Sequence, residues 1–162
     1  MKFDMTNLKM IFTFIALGLL VSCQPGFDND KVKTEIEDRF EAFVTDMNTL
    51  SVEELRDFYS DDARFYWVED GQIQYSNKQV LFQSLTGLLQ SLKSSNMKML
   101  KLKVEVLDAE SAILYAEYEQ AMALKSGFTF DINGAMTVLL QKEEGVWRFL
   151  TGHSSSKKQR GG

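Results

Sequence analysis

The chain of 162 residues contains one cysteine, one histidine and one proline. With Cys23 alone, no internal disulfide can form. One histidine and one cysteine also fall short of the usual zinc ligand set, so no metal is expected, and no cofactor. Glycine-rich phosphate loops and a serine nucleophile elbow are missing. Positive charge is in deficit: 18 Lys and Arg stand against 23 Asp and Glu, a net charge of −5. Such a chain offers no basic stripe for phosphates, which sets nucleic acid aside as a partner. What the sequence does have is apolar residues, 44% of the total, enough for one domain with a real core.

The N-terminus reads as an export signal. Lys2 and Lys9 make a positive region, and residues 10–21 are apolar except for Thr13 and Gly18. That run is too short for a stable membrane span and suits a signal peptide over residues 1–22. It ends in Leu20-Val21-Ser22-Cys23, which resembles the lipobox of bacterial lipoproteins. There the thiol accepts a diacylglycerol, and the small residue before it admits the peptidase. Cys23 is therefore the expected lipidation site, and the bilayer an expected partner. Cleavage removes Lys2, Lys9 and Asp4, one net positive charge, and leaves −6. Residues 23–30 form a tether. Gln24, in place of a retention aspartate, implies the outer membrane of a Gram-negative cell envelope. Residues 157–162, with Lys157, Lys158 and Arg160, read as a polar, disordered tail.

Between tether and tail, helices come first and strands later. Val32, Ile36, Phe40, Phe43, Val44 and Met47 recur at helical spacing, and Asp28, Asn29 and Asp30 supply the cap. Ser51-Val52-Glu53-Glu54 and Ser76-Asn77-Lys78-Gln79 read as capping boxes opening two further helices. Residues 64–69 and 72–75 form a hairpin about Asp70-Gly71. Ser94-Ser95-Asn96 is expected to stop the third helix. Strands over 97–107, 111–124, 128–141 and 146–153 complete a meander, with Leu100, Leu102, Val104 and Val106 on one face and Gly134 marking a bend or bulge. The order is α+β.

Two passages carry a resemblance. They are Leu55-Arg56-Asp57-Phe58-Tyr59-Ser60-Asp61-Asp62-Ala63-Arg64-Phe65 and Lys142-Glu143-Glu144-Gly145-Val146-Trp147-Arg148-Phe149, the latter followed by His153-Ser154-Ser155. Over residues 31–156 the chain resembles the nuclear transport factor 2-like superfamily of SnoaL-like, polyketide-cyclase-like domains. The resemblance implies a cone-shaped barrel, a curved antiparallel sheet wrapped around the long N-terminal helix. It also implies a homodimer through the outside of the sheet, where Ile113 and Tyr115 would supply apolar surface beside Glu117 and Glu119.

Strict alternation along the last strand puts Trp147, Phe149, Thr151 and His153 on one face. His153 is then the candidate general base or ligand donor at the mouth of the cone. Tyr66, Trp67, Tyr118, Gln120, Met136 and Thr151 are the other candidate ligand-binding residues, an apolar wall with a few directed polar groups. Two functions stand open. One is a membrane-anchored module that binds a small, largely apolar ligand or a protein partner without catalysis. The other is a dehydratase, isomerase or cyclase using His153. The superfamily's isomerase chemistry needs a carboxylate base facing a phenol in an apolar pocket, and no aspartate here falls on a motif that assigns it.

Overall fold

A computed structural model describes residues 28–157. The expected signal peptide, Cys23, most of the tether and the tail from residue 158 lie outside the described residues. Helix α1 spans Asn29–Thr49, its free amides capped by the Asp28 carboxylate, which accepts from the backbone N–H of Asp30 and Lys31. It therefore begins inside the segment read as tether. Helix α2 (Val52–Arg56) follows; Ser51 is its N-cap, but the side chain makes no capping bond. Strands β1 (Tyr66–Glu69) and β2 (Gln72–Tyr75) form the hairpin. Asp70 and Gly71 both take positive φ there, as a tight two-residue hairpin turn requires. Helix α3 (Lys78–Ser91) is capped by Asn77 accepting from the Val80 N–H. It runs without a loop into β3 (Leu92–Val106), so Ser94, Ser95 and Asn96 pair in the sheet instead of ending the helix. Strands β4 (Ser111–Leu124), β5 (Thr129–Glu143) and β6 (Val146–Ser156) complete the meander.

The six strands are ordered β2-β1-β6-β5-β4-β3. The fold is the α+β cone, with two differences from the expected barrel. The sheet is open, with β2 and β3 as edges, and β1 joins β6 in parallel while the other pairs are antiparallel.

Helix α1 occupies the concave face. Val32, Ile36, Phe40 and Phe43 turn toward the sheet, and Phe43 meets Phe149 with ring centroids 5.2 Å apart. Phe40, Phe43, Leu55, Phe58, Trp147 and Phe149 are buried in one core, as the helical and strand periodicities predict. Charged side chains secure the rim of this end. Asp57 takes hydrogen bonds from Arg39 (2.8 Å) and Arg148 (2.7 Å). Burial pushes its carboxyl up, but those guanidinium bonds prevail and hold it below the usual range. Glu35 accepts from Lys142 Nζ at 2.7 Å and from Trp147 Nε1 at 3.1 Å, and both bonds hold its carboxyl low.

Candidate functional site

The aromatic core fills only the end of the cone near Trp147. Toward the C-terminal half of α1 a cavity of about 290 Å³ remains, at the lower limit of small-molecule sites. Helix α1 contributes Phe43 and Met47, α3 contributes Leu85, Leu88 and Leu89, and the sheet contributes Met97, Met122, Ile132 and Met136. The hairpin lies across one side and supplies Trp67, Glu69 and Tyr75; Tyr59, Tyr118, Gln120 and Ser154 add polar atoms.

Local packing aims these groups. The Trp67 ring lies on Gly152, where an added Cβ would stand 2.4 Å from a ring carbon, and its Nε1 donates to Ser154 Oγ at 3.0 Å. Tyr118 lies in the same way across its cross-strand partner Gly134. Gly134 therefore provides room for a ring, and the pairing is regular there, without the expected bulge. Gln120 is held by donating to Ser95 Oγ at 2.9 Å. Tyr59 is 6% exposed. Its hydroxyl has no hydrogen-bond partner among the described residues, yet it is not sealed away, so it meets the cavity.

Glu69 is the one carboxylate on this wall. Burial, and next the neighbouring Asp70 charge, raise its carboxyl above the ordinary glutamate range, while the Tyr75 phenol opposes them. Burial and the Glu69 charge also push the Tyr59 and Tyr118 phenols up, so both remain protonated donors at neutral pH. An apolar cavity thus holds a carboxyl that keeps its proton more readily than usual, faced by phenolic donors. Such a set can anchor a polar group on a ligand, or move a proton.

Of the residues proposed from the sequence, Trp67, Tyr118, Gln120 and Met136 line the cavity. Tyr66, Thr151 and His153 do not. Tyr66 is 42% exposed, His153 is exposed, and Thr151 donates to the Tyr66 carbonyl on the outer face of the sheet. The cause is a bulge in β6: Leu140 pairs with Phe149 but Leu139 with Thr151, which leaves Leu150 as an extra residue. Phe149 and Leu150 are both buried, the alternation slips by one, and Gly152 and Ser154 turn inward in place of Thr151 and His153. The structure therefore places His153 on the exposed face, away from the cavity and not at its mouth. Glu69 and Tyr59 were missed. Alternation from Phe65 through Trp67 does reach Glu69, a signal available in the sequence.

Among the described residues, no group of three His, Cys, Asp or Glu side chains is placed to hold a metal ion. A family model for the SnoaL-like domain matches residues 36–157. No curated protein matches the chain. Solved structures share its fold at low identity. A nuclear transport factor 2-like superfamily protein from Salmonella enterica serovar Typhimurium is 11% identical, with a TM-score of 0.72 over 83% of this chain and 96% of that one. A proposed scytalone dehydratase from Novosphingobium aromaticivorans is 12% identical, with a TM-score of 0.71 over 80% and 86%. A type 2 hexachlorocyclohexane dehydrochlorinase is 15% identical, with a TM-score of 0.66 over 78% and 86%.

Proposed function

Since the chain belongs to the SnoaL-like domain family, we propose that it binds a small, largely apolar molecule in the cavity beneath the hairpin, in a domain held at a cell-envelope membrane by acylated Cys23. The observation that carries this reading is the cavity itself: apolar walls from α1, α3 and the sheet, with the few polar groups of Tyr59, Glu69 and Tyr118 converging on it. Native mass spectrometry of the full chain tests it. A co-purified small molecule is expected, and it should be lost when Leu85→Trp fills the space. A bound species that survives this substitution would place the ligand elsewhere.

A second reading has an observation of its own. Glu69, whose carboxyl burial raises above the ordinary glutamate range and which phenols face, has the make-up of a general acid–base, a role that passes to it from His153. Similar folds include a dehydrochlorinase and a proposed dehydratase, which sets the class of reaction to assay. Under this reading Glu69→Gln abolishes turnover while substrate still binds; under pure binding there is no turnover to lose. The outer face of the sheet, with Leu100 (56% exposed) and Ile113 (38% exposed), is the proposed seat of a homodimer. Sedimentation at micromolar concentration showing monomer alone would exclude a stable one.

A further inference from the structure

We propose that the cavity is built for a ligand with a positively charged nitrogen on an apolar body, an amine or ammonium compound; this names the ligand class and rests on the binding reading above. The lining contains no lysine, arginine or histidine, and its single ionisable acid is Glu69. Asp70 adds a second carboxylate at the rim, where a smaller hollow is shared by Glu69, Asp70, Tyr118 and Ser154. Neither acid makes an ion pair among the described residues.

Two acids that border the core at the other end have their charge matched: half-buried Glu35 by Lys142 at 2.7 Å, and the more exposed Asp57 by two arginines. A carboxylate drawn out of water without a counter-charge is costly, and at Glu69 the fold leaves the counter-charge out. Five aromatic side chains, Phe43, Tyr59, Trp67, Tyr75 and Tyr118, line the same space. Aromatic faces attract cations, and the attraction grows as water is excluded. A ligand ammonium placed against Glu69 supplies the missing charge and takes both attractions. An anionic ligand finds no cation in the lining and meets the charge of Glu69, and a neutral one leaves Glu69 unpaired.

The test uses one apolar scaffold with three headgroups: 3-phenylpropylamine, 3-phenylpropan-1-ol and 3-phenylpropanoate. Each is titrated into the full chain at neutral pH, by calorimetry and by tryptophan fluorescence. The expected order is amine over alcohol by about tenfold or more, the scale of a charge-assisted contact, with no measurable binding of the acid. Glu69→Gln should erase the preference, so that amine and alcohol converge. Alcohol binding as tightly as amine on the unmodified protein overturns the charge inference and leaves the binding reading standing. Binding of none of the three overturns both. An amine preference that survives Glu69→Gln, in a variant with native circular dichroism, places the cation elsewhere and overturns the assignment.

Discussion

Gly152 carries no side chain because the Trp67 ring occupies the place where one would be: an added Cβ would stand 2.4–2.9 Å from three of its ring carbons. Gly152→Ala must push the indole off the sheet, away from Ser154 and into the cavity. Overpacking of this kind costs about 1–3 kcal/mol, and a lowered urea midpoint is the expected reading; an unchanged midpoint would mean the ring is free to move. Glu69 poses the opposite case, a group whose native setting penalises its charged form. Its folded pKa lies above the unfolded one. The folded protein therefore holds the extra proton between the two values, and stability falls as pH rises through that window. Above the window the penalty is fully present; below the ordinary glutamate value of about 4.3 it is gone. Glu69→Gln is thus expected to raise the melting temperature at pH 7, with the gain disappearing in acid. A gain equally large below that value would assign it to packing and not to charge.

At the scale of elements, the long helix is fixed at both ends, and its C-terminal clip also manages an exposed edge. Strand β3 is an edge of the sheet. Asn48 reaches it from α1, donating Nδ2 to the Met97 carbonyl at 3.0 Å and accepting the Met97 N–H on Oδ1 at 2.6 Å. The side chain stands in for a neighbouring strand at that point. Asn48→Ala leaves a half-buried donor and acceptor unmatched, at about 1–3 kcal/mol, and faster amide exchange at Met97 would locate the loss. The helices, the hairpin and the four later strands were legible in the sequence, apart from residues 92–96 at the start of β3, because 3.6- and 2-residue periods are properties of a single segment. The faces of the strands were legible only up to their bulges. Strand β6 changes partner at Leu150: Phe149 exchanges hydrogen bonds with Phe58 and Ser60, whereas Thr151 onward lies beside β1. An extra residue is taken up at the changeover, and no composition marks it. That single slip carries His153 and Thr151 to the outer face and Ser154 to the cavity. A second irregularity, between Met99 and Lys101, leaves Leu100 outside although it alternates with Leu102.

For the molecule as a whole, the two tryptophans report on opposite ends. Trp147 contacts Glu35, about two turns into α1 from its start at Asn29, whereas Trp67 lines the cavity with Phe43 and Met47 of the far half. At 1.5 Å per residue the 21 residues of α1 span about 31 Å. The tether from Cys23 to the cap at Asp28 reaches at most about 18 Å, at 3.3–3.6 Å per residue. If Cys23 is acylated, the domain is held by the Trp147 end, the cavity faces away from the bilayer, and its ligand comes from the aqueous side. This arrangement predicts a quenching asymmetry. In vesicles containing brominated lipid, the Trp67→Phe variant, which retains Trp147, should be quenched more strongly than the Trp147→Phe variant, which retains Trp67. Cys23→Ser should remove both signals by releasing the protein from the vesicles. Stronger quenching of Trp67 would turn the cavity toward the membrane and make a lipid-dissolved ligand the better candidate, and acyl label still entering Cys23→Ser would dismiss the anchor itself.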